Sequence, residues 1–360
     1  LMLFTVITWE LSHQSLPAGG IEAPQGVATD DGWMATIDNR STGPVMVIHN
    51  MVDLEFSWEI MNGSIEVDST YALTGSKLVV ANQTAMSIFD LDLLNLSNQP
   101  VMSIPMDKPD EILLTGTGFV EYIILEKDGL LSAYNILGEE ITLDYNPTNI
   151  ELIRTNGLEI AMVLANEPTS IQLSQIGSTG SITIGQINAS STPEQDEILA
   201  TWGTPVDMNN ATITDFVFDN EYLAVTVNVS ATERLVVYNR SNGQQWLARD
   251  AKFAASDPSM KNGILAWSAR DHLEPINPLE KYMDGEIHFV NLTNNHTQQL
   301  TSDELHQWGP QVLEHHLVYF EESADGEVTI HIHSWVPEIT VYSNVILQIG
   351  IIIGVLLVFT

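Results

Sequence analysis

Cysteine is absent from the 360 residues, which excludes a disulfide framework, a thiolate metal site and a cysteine nucleophile together. Basic side chains are scarce too: 12 Lys and Arg stand against 47 Asp and Glu, a formal charge of −35. Nucleic acid is therefore disfavoured as a partner, because phosphate binding needs clustered cations, and an anionic lipid surface is repelled for the same reason. Common catalytic signatures are missing as well. There is no Gly-x-Ser-x-Gly elbow, no P-loop and no dinucleotide fingerprint, so no catalytic residue is assigned. Strong helical periodicity is hard to find between residues 20 and 340, which argues against a helical domain.

The acidity is not that of a disordered chain. Hydrophobic residues make up 44% of the sequence and charged residues only 16%, and about 340 residues can bury a core without covalent help. A lysine-poor acidic surface suits solubility at high salt, where screening removes self-repulsion.

The final stretch has a different composition. Val345 to Thr360 read VILQIGIIIGVLLVFT, sixteen residues without a charge. A helix of that length rises about 24 Å against a hydrocarbon core of roughly 30 Å, so the expectation is a transmembrane helix entered but not completed. Gly350 and Gly354 form a GxxxG spacing within it, a pattern that permits helix pairing. No Lys or Arg follows Lys281, so no positive flank retains the preceding domain in the cytoplasm. At the other end, LMLFTVI reads as the tail of a signal peptide, as an upstream helix or as a buried N-terminal strand. The expected organisation is a leader remnant and linker over residues 1–19, the main domain over 20–337 and a juxtamembrane linker over 338–344. The span follows over 345–360, in a single-pass or multi-pass cell-membrane protein whose main domain is extracytoplasmic.

Ten Asn-x-Ser/Thr sequons point the same way, at Asn39, Asn62, Asn82, Asn95, Asn188, Asn210, Asn228, Asn239, Asn291 and Asn295. Chance pairing of this Asn, Ser and Thr content gives about four, so a glycosylated surface is one expectation and polar loop composition the competing one.

Between the ends, apolar and polar residues alternate as in half-buried strands: Leu223, Val225, Val227 and Val229 share one face, and Val328, Ile330 and Ile332 share another. Eight Asx-Gly dipeptides, suited to tight hairpin turns, begin at Asp31, Asn62, Asp128, Asn156, Asn242, Asn262, Asp284 and Asp325. The strands recur in pairs. First members start near Gly32, Ser76, Gly118, Leu158, Glu221, Gly263 and His316, at intervals of 44, 42, 40, 63, 42 and 53 residues. A period of about 40–50 residues with several strands per unit predicts a β-propeller, because one such unit cannot bury both faces of its sheet. The fold class expected is all-β: a seven-bladed propeller, six or eight blades being left open by the 63-residue interval, followed by the C-terminal transmembrane helix. A β-sandwich array is the structural rival.

Two stretches carry a family resemblance. DPSMKNGILAW (Asp257 to Trp267) precedes DGEIHFVNLTNNHTQQLTS, and WGPQVLEHHLVYFEES (Trp308 to Ser323) precedes DGEVTIHI. In each, a proline (Pro258, Pro310) stands nine residues before an aromatic (Trp267, Tyr319), and a Gly-led strand follows. This resembles the blades of TolB-like propellers of envelope and cell-surface proteins, including the Gln299–Leu300–Thr301 ending. LVVYNRSNGQQW (Leu235 to Trp246) is similar to the blade motif of quinoprotein-type propellers. The resemblance covers about 100 residues, and it implies a fold rather than an activity.

Seven of the ten histidines lie from His288 onward. His331 and His333 share a strand face, a spacing that lets two imidazoles bind one metal, with His306 or His316 approaching from the neighbouring hairpin. The opposing expectation is that this face is simply solvated. Asp30 with Asp31, Asp90 with Asp92, and Asp215 with Asp219 are the acidic pairs that would offer hard oxygens to Ca²⁺; no other cofactor is expected. Trp33, Trp58 and Trp202 serve either sugar stacking or blade packing. The functional expectation is a binding or scaffolding module, working through the face where blade loops converge on a surface protein or glycan. The alternatives are a polysaccharide hydrolase or lyase, and a subunit of an envelope complex. A convergent set of His and carboxylates at the axis marks the enzyme; a funnel of Ser, Thr and apolar residues marks the binder; an apolar patch on a blade edge marks the subunit.

Overall fold

The computed structural model describes residues 10–17, 28–29, 32–51, 57–60, 65–91, 99–116, 122–143, 147–176, 181–186, 212–229, 232–242, 245–247, 253–271, 285–293, 296–302, 305–323 and 325–336. They form 28 strands and no helix. Strand β1 (Glu10–Pro17) comes first. Blade one is β2 (Ala28–Thr29), β3 (Trp33–Arg40), β4 (Gly43–Asn50) and β5 (Ser57–Ile60). Blade two is β6 (Thr70–Thr74), β7 (Lys77–Ala81), β8 (Ala85–Asp90) and β9 (Met102–Pro105). Blade three is β10 (Glu111–Thr115), β11 (Tyr122–Lys127), β12 (Leu130–Asn135) and β13 (Glu140–Ile141), and blade four is β14 (Ile150–Asn156), β15 (Glu159–Leu164), β16 (Glu167–Gln175) and β17 (Ser181–Gln186). Blade five is β18 (Thr212–Phe218), β19 (Tyr222–Val229), β20 (Thr232–Asn239) and β21 (Gln245–Leu247). Blade six is β22 (Phe253–Lys261), β23 (Ile264–Asp271), β24 (Gly285–Asn291) and β25 (His296–Gln299). The last three strands are β26 (His306–Val312), β27 (His316–Glu322) and β28 (Val328–Val336).

Each blade is an antiparallel meander, and there are seven four-stranded sheets. The strand pairs expected from sequence are the second and third strands of the seven blades. The 63-residue interval does not hold an extra blade among the described residues: Ser181–Gln186 is the outer strand of blade four, and residues 187–211 lie outside the description. The seventh sheet has the order β1-β28-β27-β26, so both ends of the chain build it. Glu10 to Pro17 pair residue for residue with Val336 to Thr329. The propeller thus takes in a segment ahead of the Gly20 boundary expected from sequence. The leader-like residues 1–9 and the apolar run 345–360 lie outside the described residues, among which no helix is long and apolar enough to cross a membrane.

The middle strands are not half-buried, which corrects the expectation from alternation. β7, β15 and β27 are buried on both faces over most of their length. The reason is stacking, because each face of a sheet meets a different neighbouring blade. In β19, Leu223, Val225 and Val227 pack on Ala161, Val163 and Ile171 of blade four. The intervening Tyr222 and Ala224 pack on Leu265, Trp267 and Val290 of blade six. Blade seven closes on blade one in the same way, with Val318, Phe320, Ile330 and Ile332 against Met34 and Met51. At roughly 1.5–3 kcal/mol per fully buried large apolar side chain, these seams hold the ring.

Two predicted turns have the required geometry. Asp128–Gly129 joins β11 to β12 with φ of 52° and 75°, and Asn262–Gly263 joins β22 to β23 with 52° and 74°. Both central residues are left-handed, as tight hairpin turns need. Other polar turns are closed by side chains. Asn82 Oδ1 accepts hydrogen bonds from Thr84 N at 2.9 Å and Ala85 N at 3.0 Å. Asn239 Oδ1 accepts from Ser241 N, and Asn291 Oδ1 from Thr293 N, each at 3.0 Å. Three of the sequons are thus also turn-forming Asx motifs, the chemistry that makes Asn recur at strand ends. Asn82 is moreover buried.

Candidate functional site

Turns joining first to second strands lie at one end of the propeller, and those of blades two to seven converge on the axis. They enclose a funnel of about 1230 Å³, larger than the roughly 300–1,000 Å³ of a common small-molecule pocket. The wall is built from Thr74, Gly75 and Ser76 of blade two, Thr115 and Gly116 of blade three, and Thr155, Asn156 and Gly157 of blade four. Asp219 and Asn220 of blade five, Lys261 and Asn262 of blade six, and Glu314 of blade seven continue it. Apolar side chains fill the intervals: Leu114, Ile136, Leu137, Ile141, Phe218 and Met260. Three of the five large hydrophobics left exposed among the described residues, Val101, Leu137 and Leu158, lie in turns at this same end.

The charged groups at the mouth are mostly spoken for. Asp219 Oδ1 accepts from the backbone N–H of Glu221 and of Tyr222 at 2.8 Å each, and its Oδ2 accepts from Gly263 N at 2.9 Å. That carboxylate ties blade five to blade six. Lys77 is paired with Asp90. Asn156 Nδ2 donates to Asn220 Oδ1 at 3.2 Å, and Thr115 Oγ1 donates to Gly157 O, so neighbouring turns are locked together. Lys261 stands exposed on its two-residue hairpin and makes no ion pair among the described residues.

Farther along the inner strands, Arg154 bridges three blades. Its Nη1 lies 3.1 Å from Glu111 Oε1 and its Nη2 2.7 Å from Asp215 Oδ1. Burial raises both carboxyl pKa values, and the Arg154 charge opposes the rise. Asp257 adds to the upward push on Asp215. It sits at φ 52° directly before Pro258, where the next blade has Gly309 at φ 59° directly before Pro310. An aspartate therefore occupies a left-handed position that the equivalent turn of strand gives to glycine, a local cost of order 1 kcal/mol.

The histidines expected to gather do not converge. His331 and His333 share one face of β28, and the Tyr319 ring stacks on both, at 5.0 and 5.5 Å between centroids. Tyr319 Oη and His333 Nε2 are 3.2 Å apart, and His331 Nε2 lies 3.2 Å from Glu321 Oε1. This face is the seam with blade six, where Tyr319 packs with Ala266 and Ile287, and so it is not solvated. His316 pairs in register with Ser334, one residue out of phase with His333, which sets it on the opposite face. His306 stacks on Trp308 at 5.1 Å. No group of three or more metal-capable side chains occurs among the described residues. Of the acidic pairs, Asp90, Asp215 and Asp219 are engaged as above; Asp30, Asp31 and Asp92 lie outside the description. Trp33 and Trp58 lie tilted against each other with centroids 4.6 Å apart and pack on the core of blades one and two, whereas Trp202 lies outside the description.

The sequence reading named Asp219 only as a Ca²⁺ candidate and missed the other funnel residues, because turns such as Asn156–Gly157 and Asn262–Gly263 look like ordinary hairpin punctuation. Their common period was the available signal.

No family model and no curated protein matches the chain. Solved structures do. The propeller domain of the trilobed protease of Pyrococcus furiosus, described as having an open velcro topology, matches with a TM-score of 0.59 at 11% identity. The match covers 87% of this chain and 94% of that one. Hsv2 of Kluyveromyces lactis matches with a TM-score of 0.50 at 11% identity, covering 87% of this chain and 100% of that one. At such identity these likenesses show the fold: the chain is a β-propeller, with its ring closed by β1 on β28.

Proposed function

We propose that this propeller is a binding or scaffolding module whose working surface is the funnel end. The observation that carries the reading is the funnel wall itself: hydroxyl and amide side chains from five blades, interleaved with Leu, Ile and Met, around a mouth whose Asp219 is consumed in holding turns. Such a surface suits recognition, with polar groups fixing orientation among apolar contacts. In the inner strands, Glu111 and Asp215 are both tied to Arg154, which favours a structural use over hydrolysis of a polysaccharide. Exposed Val101, Leu137 and Leu158 at the same end support a protein partner, and with it the reading as a subunit of a larger complex. The module is proposed to be TolB-like, glycosylated at its exposed sequons and held at the outer side of a cell membrane by the 345–360 helix.

Two measurements test this. Protease added to intact cells should release the propeller and leave a fragment beginning within 335–343; complete protection until lysis would remove the external placement. A photoreactive side chain at Asn220 should give a covalent protein adduct, whereas one at Leu130, which follows a turn at the opposite end, should give none. Equal adducts at both ends, or none at either, would dispose of the funnel as the working surface.

A further inference from the structure

Cations are few in this chain, and the described ones are nearly all neutralised. Arg40, Lys77, Lys108, Lys127, Arg154 and Arg240 are each held by a carboxylate. Lys261 departs from this pattern. It is exposed, has no bond to any described residue and lies on the funnel wall. Its position is fixed by the left-handed Asn262–Gly263 turn, which Asp219 Oδ2 clamps through Gly263 N. Lys261 thus lines the cavity from a clamped turn, in a protein whose overall field repels anions.

Three features narrow what it meets. Glu314 on the adjoining blade also lines the funnel without a bond to a described residue, so the local charge is balanced and a polyanion such as a phosphate monoester or nucleic acid strand gains little. A single carboxylate on an otherwise neutral body fits better. Next, the aromatic side chains of the described wall are engaged in packing: Phe218 is buried with the Arg240 guanidinium over its ring at 5.4 Å, and Tyr122 is half-buried against the core of blades three and four, which disfavours a sugar ring. Last, Ser76, Thr155 and Asn262, whose side chains have no bond to a described residue, share the wall with Leu114, Ile136, Leu137 and Ile141. That mixture suits a peptide, whose backbone takes the polar groups and whose side chains take the apolar ones.

We infer that the funnel captures a peptide segment by its carboxylate, with Lys261 as the anion-binding residue and Leu137 and Leu158 at the rim as seats for apolar side chains. This rests on the binding reading above and gives it a ligand class. The carboxylate comes from a chain terminus or from an acidic side chain, and the same experiment separates them.

The probe is a set of fluorescent hexapeptide pools with Leu, Ile, Val, Met or Phe at the last two positions, in three forms: free C-terminus, amidated, and amidated with one internal Glu. Binding to the full chain is read by anisotropy. At least one free-terminus pool is expected to bind, and Lys261→Gln should weaken it roughly tenfold, with Lys261→Arg restoring most of the loss. Lys261 is exposed, so these variants should melt as the parent does; Lys108→Gln, away from the funnel, should bind as the parent does. Weakening by amidation identifies a terminal carboxylate, and rescue by the internal Glu identifies a side-chain one. If no pool binds, or if Lys261→Gln changes nothing, the carboxylate capture is wrong. Binding that ignores Lys261 and amidation but is lost in Leu137→Asp and Leu158→Asp would overturn the capture and leave the binding module standing. Absence of pool binding together with no adduct at Asn220 would remove both.

Discussion

The seam between blades four and five and the seam between blades six and seven occupy equivalent places in the ring yet are built of different chemistry. In the first, Val225 faces Val236 across the strand pair and packs with Ile171, Leu173, Phe216 and Phe218. In the second, the cross-strand pair is Tyr319 with His331, stacked at 5.0 Å and flanked by His333. Blade six repeats the aromatic–imidazole pair as Trp267 with His288, at 5.7 Å. The cluster of C-terminal histidines is thus in part a blade repeat, in which imidazole does the packing that valine does elsewhere. Stacked rings fill the same layer but carry nitrogen atoms that must be satisfied within the seam. Identical topology therefore does not imply equal tolerance of substitution.

Removing the closing strand is the harshest test, because blade seven alone is assembled from both ends of the chain. Deletion of residues 1–17 should leave that blade three-stranded and cost on the order of 4 kcal/mol, at ~0.5 kcal/mol net per ladder hydrogen bond. Chemical denaturation is the readout. An unchanged midpoint would mean that β1 does not close the ring. Within the aliphatic seam, Phe216→Ala should cost about 3–5 kcal/mol, since its side chain is wholly buried and the cavity cannot collapse between two sheets.

The imidazole seam should give way less. His331→Gln with His333→Gln is expected to cost about 1–2 kcal/mol, because amides retain part of the hydrogen bonding while losing the stack. Calorimetry with Zn²⁺ on parent and variant decides the metal question directly: tight stoichiometric binding lost in the variant would assign these two residues to a metal, and equal heats would assign them to packing.

Charge makes smaller differences. The carboxyl pKa values of Glu111 and Asp215 are raised in the folded chain, so the folded state takes up protons before the unfolded one as pH falls from neutrality. Stability contributed by these two groups must then rise as pH falls through the raised values, until the unfolded chain protonates as well. As pH falls from neutrality toward the ordinary carboxylate range, the melting temperature of the parent should gain relative to that of Glu111→Gln with Asp215→Asn. Matching profiles would show that Arg154 compensates the burial in full. Finally, with a formal charge of −35, the chain should melt at a higher temperature in molar NaCl than in dilute buffer. Millimolar Ca²⁺ at fixed ionic strength should add to this only if a carboxylate site exists.

What could be read in advance followed the length of local order. The middle strands of every blade, such as Tyr222–Val229 with Thr232–Asn239, carry enough apolar residues and turn chemistry to declare themselves. The short inner and outer strands, such as Ala28–Thr29 and Glu140–Ile141, hold only two residues each and exist because a longer neighbour templates them. Gly285 shows the same division. A glycine heading β24 was visible in the sequence, but its reason was not: a Cβ there would come within 2.7 Å of Gln307 O on the next blade.

The sequence by itself determined an acidic, cysteine-free, all-β chain with a repeat of seven strand pairs, because alternation, turn residues and period are local properties. Only the tertiary structure decided which way each face of a strand looks, since in a ring both faces meet a neighbour and alternation no longer distinguishes core from solvent. Closure by Glu10–Pro17 on Val328–Val336, the splitting of the histidines between two faces, and the gathering of six distant turns around one funnel all depend on contacts between residues tens to hundreds of positions apart. Those contacts exist only once the blades have closed into a circle.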